Sequence, residues 1–260
     1  MSIGTAKPSV EQIEASGMAL VNHISITDAY NVGIYEQAAI KLIEKAHALD
    51  KLPILTGGTG LYIKAVCEGL NQFPEVSQSI IDEVNDDLFY KGLTYLQNEL
   101  KRKDPEYYKA IDKENTHRIQ RAITVIRVSN KPFSYFLNLE KPKRNFEVIN
   151  VILSRERSVL YDRINKRVLQ MMETGLEQEV KELLPHKDLK ALQSVGYKEL
   201  FRYFDGEYDL DFAVSEIQKN TRRYAKRQIT WFKNQVSGDY FEPENIEGIL
   251  SYINQMISKS

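Results

Sequence analysis

Apolar positions recur with helical spacing over most of the chain. Between residues 35 and 48, Ala38, Ala39, Leu42, Ile43 and Ala46 share one face, which predicts an amphipathic helix. Asn115-Thr116 offers an N-cap, and behind it Ile119, Ala122, Ile123 and Ile126 follow at i, i+3, i+4 and i+7. The same spacing predicts helices over about 61–67, 158–173, 177–184, 196–204, 210–233 and 245–257, and a short one in the first twenty residues. Strand texture is confined to three places. Residues 21–26 alternate, 52–56 form an apolar burst, and 147–153 form a nearly continuous β-branched run suited to a strand buried on both faces.

Helix, strand, glycine turn and helix follow one another up to residue 67. That is the rhythm of an α/β fold with a parallel sheet. From residue 72 to 144 the texture is almost wholly helical, broken at Pro74, Pro105 and Pro132. The expected organisation is therefore a first part of the core at 1–73, a helical insertion domain at 74–145, and a second part of the core with C-terminal helices at 146–260. Two well-marked strands and at most two weaker ones are few, since a doubly wound sheet usually has about five or six. Either the fold is mostly helical or part of the sheet lies outside this chain.

At 260 residues the chain is long enough for one large domain or two modest ones. Thirty-five Lys and Arg balance 36 Asp and Glu, so any nucleic-acid role needs a local patch rather than bulk charge. A single cysteine, Cys67, excludes a disulfide framework and a cysteine-built zinc site. The first eight residues carry no apolar signal region, and no apolar run reaches the roughly 20 residues that span a bilayer. A cytoplasmic protein with no membrane association is expected.

Four constellations offer chemistry. Thr56-Gly57-Gly58-Thr59-Gly60 joins a predicted strand to a predicted helix, and such a turn presents backbone N–H groups to an anion. No Gly-Lys-Ser/Thr ends it, so it is not a Walker loop; the alternative is a tight turn that only glycine fits. Between Ile217 and Gly238 stand six cations and no acid. Of these, Lys219, Arg222, Arg223, Lys226 and Arg227 share one helix face, with Ile217, Tyr224, Trp231 and Phe232 opposite. Such a stripe is either a solvated face or a phosphate-backbone contact. Arg155, Arg157, Arg163, Lys166 and Arg167 follow the 147–153 strand, where open α/β sheets bind ligands. They suit a phosphate or diphosphate, unless Glu156, Asp162 and Glu173 pair with them. His117 opens a helix with Arg118 and Arg121 off its apolar face; a lone histidine at a helix start is more often a capping or surface residue than a catalyst. No cluster has metal-ligand spacing and no Gly-x-Ser-x-Gly elbow is present.

Six ordered segments together resemble one family, the tRNA dimethylallyltransferases, also called isopentenyl-tRNA transferases. They are Ile3-Gly4-Thr5-Ala6-Lys7-Pro8, Gly57-Gly58-Thr59-Gly60-Leu61-Tyr62, His117-Arg118-Ile119-Gln120-Arg121-Ala122, Arg163-Ile164-Asn165-Lys166-Arg167-Val168, Ser194-Val195-Gly196-Tyr197-Lys198-Glu199, and the twelve residues 221–232. The resemblance implies a P-loop-NTPase-like parallel sheet core with a helical insertion domain. It implies transfer of a dimethylallyl group from dimethylallyl diphosphate to the exocyclic amine of the adenine 3′ of the anticodon in tRNA, with Mg assisting the diphosphate. Thr59 would then be the catalytic residue at the reaction channel, and Arg163 and Arg167 would face the diphosphate. The tRNA would meet His117, Arg118, Ile119, Gln120 and Arg121, and then Gln193, Ser194, Val195, Gly196, Tyr197 and Lys198. It would also meet Arg222, Arg223, Lys226, Arg227, Gln228, Ile229, Thr230, Trp231, Phe232 and Lys233. A monomer is expected.

The chain departs from the family at identifiable places. The family's phosphate loop, Gly-x-Thr-x-x-Gly-Lys-Thr/Ser, and the aspartate proposed as its general base stand ahead of the Ile-Gly-Thr-Ala-Lys-Pro segment, so Met1 falls just after them. A core strand goes with them, which matches the strand deficit. Met18-Ala19 stands where the family has His-His, and Ile81 where it has an arginine. Three readings follow: the enzyme without its N-terminal strand and inactive by itself, a truncated remnant that only binds tRNA, or a nucleotide kinase on the same core. The kinase is disfavoured by the missing Walker lysine.

Overall fold

The computed structural model describes residues 1–259. Along the chain run α1 (Val10–Ser16), α2 (Val32–Ala48) and α3 (Gly60–Glu68). Next come α4 (Gln78–Lys91), α5 (Leu93–Lys103), α6 (Pro105–Ala110), α7 (Thr116–Ser129) and α8 (Phe133–Leu137). Then follow β1 (Val151–Leu153), α9 (Arg157–Glu173), α10 (Leu176–Glu182), α11 (Tyr197–Phe204), α12 (Leu210–Gln235), β2 (Asp239–Phe241) and α13 (Ile246–Ile257). The chain divides into two compact units, Met1–Val66 with Phe146–Ser260, and Cys67–Asn145.

The helices start where side chains satisfy orphan N–H groups. Asn115 accepts from the Arg118 N–H and Asp209 from the Phe212 N–H, which sets the first turns of α7 and α12. Gly175, at φ +102°, makes the sharp turn from α9 into α10, a conformation that a side chain disfavours.

The sheet is a parallel pair, β1 beside β2, in register Val151↔Asp239, Ile152↔Tyr240 and Leu153↔Phe241. The strand expected over 147–153 is therefore only three residues long. It is buried at Ile152 alone, with Leu153 59% exposed. Gly238 allows β2 to close on β1, because a Cβ there would lie 2.8 Å from the Asn150 carbonyl oxygen. Residues 52–56 and 21–26 are not strands. Leu52 and Ile54 are 60% and 84% exposed, and no described strand lies beside them to complete a ladder. Strand propensity becomes structure only where a neighbour supplies hydrogen bonds and a covering face.

The first unit packs α9, α10, α11 and α12 around Val168, Leu176, Leu192, Tyr197, Leu200 and Ile217. The second unit packs α4, α5 and α7 around Val84, Leu96, Leu100, Ile119 and Ile123. Beside that second core, the Arg127 guanidinium meets Asp87, Glu99 and Glu83 at 2.6, 2.6 and 2.7 Å. Lys91 and Lys103 flank Asp87 and Glu99. No described helix is long and apolar enough to cross a membrane.

Candidate nucleic-acid and diphosphate interface

The glycine turn is seated on α12. The Gln228 side-chain amide donates to the Gly58 carbonyl at 3.0 Å. A Cβ on Gly58 would overlap that amide, and one on Gly60 would enter the Trp231 ring. The glycines are thus explained by close approach of a helix. Thr59 stands at the head of α3, where its carbonyl accepts from the Tyr62 and Ile63 N–H groups. Its side chain is exposed, and its hydroxyl has no hydrogen bond among the described residues.

Packing sorts the cations of α12. Lys219 is ion-paired with Glu216. Arg222 is half-buried and donates to the Asn165 side-chain oxygen at 2.5 Å, while Gln218 donates to the Asn165 carbonyl at 3.2 Å. These two cations, expected on an open stripe, are engaged by neighbouring side chains of the protein itself. Arg223, Lys226 and Arg227 remain exposed without a carboxylate partner among the described residues. Arg223 lies 3.4 Å from the Asn220 oxygen, and Arg227 sits over the Tyr224 ring. Tyr224, expected on the covered face, is 40% exposed. Ile229, Thr230 and Lys233 are exposed as well, whereas Trp231 and Phe232 are half-buried with their rings edge to face.

Arg163 and Arg167 lie one turn apart on the exposed side of α9, each immediately ahead of a buried residue, Ile164 and Val168. Among the described residues neither forms a salt bridge, although Arg163, after Arg155, helps hold the Glu244 carboxyl below its ordinary value. Of the acids that might neutralise the cluster, Asp162 pairs with Lys166, whereas Glu156 caps α9 through the Val159 N–H. Arg155 is paired with Glu244, whose carboxyl this contact holds below its ordinary value. Arg167 lines an open cleft of about 810 Å³, together with Gln170, Met171 and Thr174 of the α9 end and with Ser2, Ile3, Ala6, Lys7, Pro8 and Ser9. Lys7 is held by the Asn22 side chain.

The segment that walls this cleft is fastened by Glu179. Its carboxylate accepts from the N–H groups of Ser2, Ile3 and Gly4 and from the Tyr197 hydroxyl. Burial by itself would raise the Glu179 carboxyl. The Tyr197 hydroxyl and the three backbone donors outweigh it and hold the group below the usual carboxylate range. Burial, reinforced by the carboxylate beside it, pushes the Tyr197 phenol well above its ordinary value. A second carboxylate, Glu199, is buried where it accepts from the Gly196 N–H and the Asn220 amide.

Several residues expected at tRNA turn out to be core. Tyr197 and Ile119 are fully buried, so their side chains belong to the cores of the two units rather than to an exposed surface, and the Gly196 backbone is buried as well. Gln193, Ser194 and Lys198 are exposed, and Val195 is half-buried. His117, Arg118 and Arg121 are exposed on α7 in the second unit, where Gln120 donates to Asn85. Arg121 lies over the Phe73 ring, and partial burial lowers its pKa from the ordinary value. Sequence reasoning missed Glu179, Asn165 and Asn220, the polar residues that tie these segments together. Asn165 and Glu199 stand inside recognised motifs, but Glu179 and Asn220 carry no local signal.

A short parallel strand pair among many helices, with a glycine turn seated on a helix that carries exposed cations, defines an α/β protein. Comparison with known proteins gives the family. The model of the IPP transferase family matches residues 1–235. A tRNA dimethylallyltransferase of Christiangramia forsetii is 48% identical over 99% of this chain and 86% of its own length. The solved full-length tRNA isopentenylpyrophosphate transferase of Bacillus halodurans is 32% identical, with a TM-score of 0.68, over 100% of this chain and 83% of that one. A solved eukaryotic dimethylallyltransferase acting on tRNA has a TM-score of 0.80 over 99% of this chain and 69% of that one; at 21% identity that likeness concerns the fold. The chain belongs to the IPP transferase family.

Proposed function

We propose that the protein acts in tRNA prenylation, moving a dimethylallyl group from dimethylallyl diphosphate to the exocyclic amine of the adenine 3′ of the anticodon. The observation that carries this reading is the seating of the Gly57–Gly60 turn on α12, because one helix then presents both Thr59's turn and the exposed Arg223, Lys226 and Arg227. In the transfer, the bond from the prenyl carbon to the diphosphate oxygen breaks and its electron pair leaves with the diphosphate. The adenine nitrogen forms the new bond to carbon and gives up a proton to a base. The leaving diphosphate needs cations and N–H donors as charge develops on it. Arg167 and Lys7 line a cleft suited to that task, and Arg163 stands one turn away. The target base leaves its stack to be reached, and Thr59's unpaired hydroxyl is available to orient it. Magnesium belongs to this reading only as a companion of the diphosphate. No carboxylate lines the cleft, and the described residues form no group of three potential ligands, so they do not build a site for a resident ion.

Residues 1–260 contain no Gly-Lys-Ser/Thr phosphate loop, and this favours a second reading, tRNA binding without transfer by this polypeptide alone. A radiolabelled dimethylallyl transfer assay on unmodified tRNA separates the two. Residues 1–260 by themselves are expected to give no turnover, and the same residues joined behind a family phosphate-loop segment are expected to give it. Absence of transfer by the joined chain overturns the prenylation reading. Turnover by residues 1–260 within tenfold of a family enzyme overturns the requirement for that segment.

A further inference from the structure

We propose that Glu179 is the positioning residue of the diphosphate cleft, holding the Ser2–Pro8 turn as the wall that faces Arg167. This rests on the diphosphate reading of that cleft. One carboxylate gathers four donors. Oε2 accepts from the Ser2 and Ile3 N–H groups at 2.7 and 2.9 Å, and Oε1 accepts from the Gly4 N–H at 3.1 Å and the Tyr197 hydroxyl at 2.6 Å. Three consecutive backbone N–H groups converging on one anion fix the orientation of that backbone, because each bond constrains a different peptide plane.

The rest of the turn builds on this anchor. The Ala6 N–H donates to the Ile3 carbonyl and the Lys7 N–H to the Ser2 carbonyl, which folds the segment back. Ala6 sits at φ +49°, a left-handed conformation that a non-glycine residue holds only when its surroundings impose it. The Tyr197 ring covers Gly4 so closely that a Cβ there would lie 2.6 Å from a ring carbon. Glycine at position 4 and the tyrosine are thus two halves of one contact.

The geometry transmits to the cleft through a short path. Arg167 is on α9 and Glu179 on α10, and the two helices are joined by the tight turn at Gly175, against which the Ile3 side chain rests. Glu179 therefore ties the Lys7 wall to the very helix hairpin that carries Arg167. Release of the turn separates the two cations without touching either of them.

The test uses the 260-residue chain and three readouts: amide hydrogen exchange of residues 2–8, calorimetric affinity for inorganic pyrophosphate, and filter-binding affinity for tRNA. Glu179→Ala is expected to deprotect residues 2–8 and to weaken pyrophosphate at least tenfold, with tRNA affinity within twofold of wild type. Glu179→Gln keeps one acceptor oxygen and is expected to restore part of both the protection and the pyrophosphate affinity. Tyr197→Phe keeps the ring over Gly4 and removes a single hydrogen bond, so its loss is smaller than that of Glu179→Ala. Should Glu179→Ala fail to fold, the other two variants decide. Pyrophosphate binding unchanged in the variants, or falling in step with tRNA affinity, overturns the positioning role. Should residues 1–260 bind no pyrophosphate, the same variants are compared in the chain joined behind a family phosphate-loop segment, and no binding there either overturns the diphosphate reading and the positioning role with it.

Discussion

Removing the three free cations of the α12 stripe, Arg223, Lys226 and Arg227, has a consequence that salt measures. Arg223, Lys226 and Arg227 are exposed and lack carboxylate partners, whereas Lys219 and Arg222 are held by Glu216 and Asn165. Each phosphate neutralised by a cation adds about 0.7–0.9 to the slope of log affinity against log salt. Three such contacts amount to a slope of roughly 2–2.7, and not the larger value that all five cations of the stripe would give. Over a fourfold change in salt, from about 50 to 200 mM, that slope is worth about 20–40-fold in affinity. The triple variant Arg223→Ala, Lys226→Ala, Arg227→Ala should therefore lose far more affinity for tRNA at the lower salt than at the higher, and its slope should be shallower by that amount. Filter binding across a salt series reads both quantities. Lys219→Ala serves as the internal comparison, since a cation already satisfied by Glu216 should leave the slope nearly unchanged. A triple variant with wild-type slope would show that α12 does not touch phosphates. A Lys219→Ala slope as reduced as that of the other cations would show that the packing assignment is wrong.

Arg127→Met should destabilise the protein by about 2–4 kcal/mol in denaturant titration, somewhat below a fully buried ion pair because Lys91 and Lys103 remain beside the two stranded carboxylates; a loss under about 0.5 kcal/mol would make the cluster incidental. Gly60→Ala forces a methyl into the face of Trp231, the chain's only tryptophan, so the emission spectrum should shift, with a cost of about 1–3 kcal/mol; an unaltered spectrum would mean that the turn is not seated on α12. Thr59→Ala, in a chain joined to a phosphate-loop segment, should slow single-turnover transfer by up to a few kcal/mol of barrier while tRNA binding stays unchanged; an unaltered rate removes the hydroxyl from the chemistry. The Glu179 carboxyl is held below its unfolded value, so its stabilising contribution is full above that value and fades as pH falls through the lower folded one. Glu179→Gln should accordingly flatten the loss of stability below about pH 4.5, the unfolded value; identical acid limbs would contradict the clamp.

Much of the helical framework was legible because burial follows a period of 3.6 residues. Ile119, Ala122, Ile123 and Ile126 announce α7 by spacing alone, and all four are buried. The motifs were legible for a different reason: glycines and clustered cations are rare enough in runs to stand out without a fold. Their meaning was less legible. Gly58 and Gly60 look the same in sequence whether they cradle an anion or admit a helix, and only the position of Gln228 and Trp231 shows that a helix lies against them.

Strands and charge states depended on tertiary structure throughout. Residues 52–56 have the composition of a strand and no described strand beside them, while 239–241 look unremarkable and pair with β1 because Gly238 lets the two backbones meet. The sequence by itself determined which residues were available as cations along α12. It did not determine which remained free, since that depends on Asn165, 57 residues distant from Arg222 along the chain. Glu179 is the extreme case. One acidic residue on a short helix has no periodicity and no motif to mark it, and its role exists only because folding brings the N–H groups of residues 2–4 and the Tyr197 hydroxyl to the same carboxylate. Local pattern is written by helix geometry and is therefore readable one turn at a time. Convergence of groups far apart in the chain is a property of packing, and no stretch of sequence carries it alone.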